Sequence, residues 1–127
     1  MADYKHSDLT HKIIGCAMTV HNTLGNGFQE KIYQRALAIE LKKNGLSFHR
    51  EQEMPIFYDG HEIGTRRVGF FIENVVMVEL KALTQIEEVH WAQTINYLEA
   101  YNLKVGLLIN FGAKKLEFKR FVNSKKV

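Results

Sequence analysis

Val75-Val76-Met77-Val78-Glu79-Leu80-Lys81 is an apolar run that ends in a carboxylate and an amine two positions apart. Side chains of an extended chain repeat with period two, so Glu79 and Lys81 project from one face of the strand this run predicts. Two readings are open for such a pair: an ion pair that closes the strand end, or half of a metal-assisted active site. Upstream, residues 46–58 and 63–72 also alternate with period two. Asp59-Gly60 between them is a strong hairpin signal, and Glu73-Asn74 supplies the next short turn. Three consecutive strands with short turns predict an antiparallel meander whose last member is the opening stretch. The polar segment Arg50-Glu51-Gln52-Glu53 breaks or bends the first strand, and Pro55, the chain's one proline, favours an edge position there.

Two helices precede the meander. Ser7 or Asp8 caps the first, whose Leu9, Ile13, Ala17, Val20 and Leu24 recur at spacings of three and four and form one apolar stripe. Gly25-Asn26-Gly27 ends it in a tight turn. The second helix covers about residues 28–44, with Gly45 as its C′ residue. Ile32, Ala36 and Ile39 make its predicted inward face, and Glu30, Tyr33 and Leu37 an adjoining line. Beyond the opening stretch, a third helix covers about residues 85–101, with Trp91, Ile95 and Leu98 inward and His90, Gln93 and Tyr97 on the other side. Residues 105–110 form a further buried strand, and residues 116–122 alternate as a half-exposed last one. The order ααβββαββ predicts an α+β fold in which helices cover the sheet.

At 127 residues the chain fits one domain spanning 1–127. Its 46% hydrophobic and 24% charged content is that of an ordinary globular protein. A net charge of +3 is too mild to establish a nucleic-acid partner. Lys114, Lys115, Lys119, Arg120, Lys125 and Lys126 nevertheless crowd the C-terminal end against Glu117 alone, where they could contact phosphates; residues 123–127 read more plainly as a solvated tail. Cys16, being single, cannot form an internal disulfide and reads as a small buried hydrophobe. No leader pattern stands in Ala2-Asp3-Tyr4-Lys5-His6, and no apolar run approaches the ~20 residues that span a bilayer, so the expected location is cytoplasmic.

Several chemistries are excluded by pattern. Gly25-Asn26-Gly27 is followed by no GK[ST], so there is no phosphate loop of the P-loop type. Cys16 lies in an apolar helical stretch unsuited to a nucleophile. His6, His11, His21, His49, His61 and His90 lack zinc-ligand spacing. What remains is a strand carboxylate (Glu79), a lysine on the same face (Lys81) and a carboxylate at the start of a helix (Glu30). That set suits metal-assisted phosphodiester hydrolysis. Mg²⁺ prefers oxygen ligands and takes one or two carboxylates with water and substrate phosphate, and a lysine can orient water or neutralise developing charge. The alternative is a Glu79–Lys81 pair with ordinary hydrogen bonds around it.

Gly27-Phe28-Gln29-Glu30-Lys31-Ile32-Tyr33 reads G-x-x-E-x-x-Y, and Val78-Glu79-Leu80-Lys81 reads as the E-x-K half of a PD-(D/E)XK nuclease signature. Gln93-Thr94-Ile95-Asn96-Tyr97 is a Q-x-x-x-Y motif like that of RecB-type nucleases, and residues 106–112 resemble the segment that follows it. Together these resemble the GxxExxY protein family of the PD-(D/E)XK superfamily over nearly the whole chain. The resemblance implies a restriction-endonuclease-like core, a mixed sheet flanked by helices with the active site at the sheet's opened edge. It implies Mg²⁺ or Mn²⁺ as cofactor, held by Glu30, Glu79 and the carbonyl of Leu80. Glu79, Lys81, Gln93 and Tyr97 would be the catalytic and supporting residues, and DNA the partner.

One departure bears on all of this. The family pattern R-x-D-x-x-V-E-N falls here on Arg67-Val68-Gly69-Phe70-Phe71-Ile72-Glu73-Asn74, so glycine stands at the aspartate position. Glu62 and Glu73 are the nearest carboxylates in sequence, the first of opposite strand parity and the second at the turn. Two functions are therefore expected. One is a DNA-cleaving enzyme, weakened or using a substitute ligand. The other is a nuclease-fold module without catalysis that binds nucleic acid or protein.

Overall fold

The computed structural model describes residues 6–123. Residues 2–5, on which the leader reading rests, and Lys125 and Lys126 of the basic end lie outside that range. The order of elements is α1 (Ser7–Leu24), α2 (Glu30–Lys43), β1 (Phe48–Tyr58), β2 (His61–Ile72), β3 (Val76–Lys81), α3 (Glu88–Ala100), β4 (Val105–Asn110) and β5 (Glu117–Val122). This is the expected α+β order ααβββαββ. The five strands form one sheet in the order β1-β2-β3-β4-β5, antiparallel except for the parallel β3–β4 pair, which α3 connects. The sheet is therefore mixed, as a restriction-endonuclease-like core requires.

Period two sorts the strand residues between two layers. Val76, Val78 and Leu80 of β3, with Val105, Leu107 and Ile109 of β4, pack under Ile13, Ala17 and Val20 of α1 and Tyr33, Leu37 and Leu41 of α2. Met77 and Leu108 face the other way, against Leu98 of α3 and Phe121 of β5. Glu79 and Lys81 share the parity of Met77 and so belong to the α3 side.

The faces of two helices differ from expectation. Ile32 and Ile39 are exposed and Ala36 half-buried, while α2 turns Tyr33, Gln34, Leu37, Ala38 and Leu41 inward. On α3, Thr94 and Leu98 are buried, whereas Trp91 and Ile95 are exposed. In both helices the inner stripe contains a polar side chain, Gln34 or Thr94, that apolar periodicity skips. Tyr33 is inward because its ring stacks on Phe111 with centroids 4.8 Å apart and its hydroxyl donates to the Gly25 carbonyl at 2.6 Å. The same hydroxyl accepts the Phe28 N–H at 3.1 Å. The tyrosine of G-x-x-E-x-x-Y thus fixes the α1–α2 turn rather than lining a site.

Smaller differences are local. His6, not Ser7 or Asp8, precedes α1, and α2 and α3 begin at Glu30 and Glu88, later than periodicity placed them. β1 is one strand through the polar stretch, with Glu51 in the left-handed region at φ 54°. Asp59 and Gly60 close the β1–β2 hairpin at φ 50° and 77°, as that dipeptide predicts. Cys16 is buried, as expected. Asn123 is tied down rather than solvated: its backbone N–H donates to the Lys104 carbonyl at 2.8 Å. No helix among the described residues is long and apolar enough to cross a membrane.

Candidate active-site cleft

The β2–β3 ladder runs Ile72↔Val76, Phe71↔Met77 and Phe70↔Val78 and stops there, whereas β1 and β2 stay paired far beyond. The two sheet portions fork at Gly69. Val68, one residue on, packs with Met77, Leu98 and Leu108 on the α3 side, while Phe70 and Ile72 pack in the other layer. Two positions of equal parity thus serve opposite layers, and Gly69 is where the strand crosses over. A cleft of about 270 Å³ opens at this fork, lined by Arg66, Arg67, Val68 and Gly69 of β2, Glu79, Leu80 and Lys81 of β3, Glu30 and Gln34 of α2, and Glu51 of β1.

Glu79 is 5% exposed. Its Oε1 accepts from the Arg66 guanidinium at 3.0 Å, so the ion-pair partner of Glu79 is an arginine from the neighbouring strand rather than Lys81. Oε2 is buried and accepts no hydrogen bond, and Arg66 Nε is likewise buried without an acceptor. Burial pushes the Glu79 carboxyl up to about 7. Arg66 and Lys81 pull it back, Glu30 adds to the rise, and the Gly69 N–H opposes it weakly. Desolvation wins because one guanidinium contact replaces only part of a carboxylate's hydration.

The Arg66 guanidinium lies over the Tyr97 ring, 4.8 Å from its centroid, and its Nη1 donates to the Arg67 carbonyl at 3.2 Å. Tyr97 therefore reaches the cleft through Arg66. Gln93 is exposed on α3 and does not line the cleft. His90 spends its Nδ1 on the Glu87 N–H at 3.0 Å, closing the first turn of α3. Glu30 stands at the start of α2, exposed, on the cleft wall. Leu80 buries its side chain among the residues under α1 and α2.

Neither proposed substitute for the missing aspartate is present in the cleft. Glu73 accepts from the Ser47 N–H at 2.7 Å and hydroxyl at 3.0 Å at the far end of β2, and Glu62 sits opposite Phe57 near the hairpin turn. The carboxylate beside Gly69 is Glu51, between the pairs Arg50↔Phe70 and Gln52↔Val68, and it points to Arg67 at 3.9 Å. A Cβ at position 69 would meet the Val78 carbonyl oxygen at 2.9 Å and Leu80 Cδ1 at 3.1 Å.

These residues do not make a ready metal site. Position 69 offers no donor, Glu79 Oε1 is held by a cation, and no three His, Cys, Asp or Glu side chains among the described residues stand together as a metal would need.

The loop that follows Lys81 is built by residues whose role the sequence did not disclose. Buried Asn110 at the end of β4 accepts the Leu83 N–H at 2.8 Å and the Gly112 N–H at 3.1 Å, and donates to the Leu83 carbonyl and to Glu117 Oε1, each at 2.9 Å. Glu117 also accepts the Ile86 N–H at 2.9 Å. At Gly112 the two segments of the chain touch: a Cβ there would collide with the Leu83 backbone. The one signal available was a polar residue closing an otherwise apolar strand.

A mixed sheet with helices on both faces and E-x-K at the end of a central strand is consistent with a restriction-endonuclease-like fold. A model of the PD-(D/E)XK nuclease superfamily covers residues 7–121. The chain belongs to this superfamily. A solved structure described as the crystal structure of SSO0001 shares the fold with a TM-score of 0.57 at 19% identity, over 73% of this chain and 49% of that one. The chain thus spans about half the length of that neighbour. No curated protein matches it.

Proposed function

We propose that this PD-(D/E)XK domain is a nuclease-fold module that binds DNA without cutting it, and that within the superfamily it stands with the GxxExxY proteins. The observation that carries this is at position 69. The aspartate of the pattern is absent, and a Cβ in its place would stand only 2.9 Å from the Val78 carbonyl oxygen, too close without a shift. Catalysis through a metal needs its ligands and water placed closely, and a displacement of ~1 Å can cost ~100-fold. Lys81 and Arg67 on the cleft wall supply positive charge for a phosphate backbone.

A second reading, metal-dependent hydrolysis of DNA phosphodiesters, has one observation in its favour. Glu79 Oε2 is buried in the cleft without a partner, so a Mg²⁺ or Mn²⁺ ion shared with Glu30 and the Leu80 carbonyl, with Lys81 as the catalytic lysine and Tyr97 and Gln93 as support, would satisfy it.

The test is fluorescence-anisotropy binding and Mn²⁺-dependent cleavage of single- and double-stranded DNA by the wild type, Gly69→Asp and Lys81→Ala. Expected are salt-sensitive binding that persists in EDTA, a several-fold loss in Lys81→Ala, and no cleavage by the wild type. Mn²⁺-dependent cleavage by the wild type that Lys81→Ala abolishes would establish the second reading instead. Absence of DNA binding would overturn both.

A further inference from the structure

We infer that Arg66 is the resident cation of this cleft: its guanidinium does for Glu79 what a bound divalent ion would otherwise do, and the two exclude each other. A carboxylate with 7% of its side chain exposed needs an opposite charge, and the one placed on it is Arg66 at 3.0 Å. The guanidinium is held from three directions, by Glu79 Oε1 at its end, the Arg67 carbonyl at Nη1 and the Tyr97 ring, over which its central carbon lies. Arginine suits this post because its plane stacks on an aromatic face while its edge meets a carboxylate.

The two unsatisfied atoms of the cleft support the pairing. One is an acceptor, Glu79 Oε2, and the other a donor, Arg66 Nε, of the same pair. The Nε–Nη2 edge of a guanidinium matches the two oxygens of a carboxylate, so a small closure of the pair satisfies both atoms with no further ligand. Of the other acids that could share a cation with Glu79, Glu51 and Glu53 face Arg67 at 3.9 and 3.3 Å, Glu30 stands exposed on the cleft wall, and position 69 has no side chain. A divalent ion on Glu79 would have to displace Arg66 from a hydrogen-bonded seat over an aromatic ring. Tyr97 is thereby a positioning residue, acting on Glu79 through Arg66.

This shares the cleft with the reading above and rests on its metal-free character, but not on its nucleic-acid ligand. Failure to bind DNA would leave Arg66's role standing. The experiment is thermal unfolding at pH 8 in EDTA and in millimolar Mg²⁺ or Mn²⁺, with Mn²⁺ binding followed by electron paramagnetic resonance. It compares wild type, Arg66→Met, and Arg66→Met with Glu79→Gln. The wild type should show no metal-dependent shift. Arg66→Met should melt lower in EDTA and recover by roughly 5 °C with Mn²⁺, a response expected of a ligand that binds only the folded state. Adding Glu79→Gln should remove both the loss and the recovery. If Arg66→Met does not fold in EDTA, Arg66→Gln keeps a donor to Glu79 without the charge and takes the same measurements. A Glu79-dependent metal shift in the wild type would overturn the inference, as would a folded Arg66 variant that ignores metal.

Discussion

Glu79 gives up its water on folding and receives one guanidinium contact in return. In the folded protein its carboxyl keeps a proton up to about pH 7, whereas the ordinary value is 4.5. Between those values the folded state binds more protons than the unfolded one, so stability falls as pH rises through the window. At ~1.4 kcal/mol per pH unit of difference, the loss attributable to this group is at most about 3–4 kcal/mol. In buffer free of divalent ions, melting temperatures taken across that window should therefore decline with pH, and Glu79→Gln should flatten the decline. An unchanged slope in the variant would mean that other groups set the profile. Glu79 itself was legible from its place at the end of an apolar run. Its partner was not, because Arg66 is matched to Glu79 by the crossing of β2 between layers at Gly69, and no periodicity announces a crossing.

At the scale of elements, the β1–β2–β3 meander and its hairpin were readable because period two and Asp59-Gly60 act locally. Helix faces were less so. The stripe on α2 is set by Tyr33, whose hydroxyl is spent on the α1–α2 turn, and that on α3 by Thr94 and Leu98, so exposed Ile39 and Ile95 misdirect a reading by hydrophobicity alone. The β4–β5 corner was opaque for a related reason. Asn110 looks like a strand-ending polar residue, yet its four hydrogen bonds clamp the loop after Lys81. Leaving such groups unpaired costs ~1–3 kcal/mol each, less what water recovers. Asn110→Ala should lower stability by about 2–4 kcal/mol in urea unfolding. Amide exchange in residues 82–87 should also rise. A loss below about 0.5 kcal/mol, the range of ordinary surface substitutions, would show that Gly112 and Glu117 hold the corner unaided.

Across the whole molecule, burial is uneven. β3 and β4 are buried along nearly their full length between the two layers, while the outer half of the β1–β2 hairpin exposes Phe57, Tyr58 and Ile63. Local opening follows burial. Amide hydrogen exchange should find the slowest protons in β3 and β4, and protons of the outer hairpin exchanging at least ~100-fold faster. Uniform protection along β2 would contradict the division at Gly69. The hairpin, moreover, is continuous through β2 with both packing layers, entering one at Val68 and the other at Phe70. Residue 69 divides it: residues 70–72 are paired with β3, while the longer arm beyond carries Arg66 and Arg67 into the cleft wall before it runs out into solvent. A partner that gripped the outer hairpin would therefore hold the same strand that presents Arg66 to Glu79.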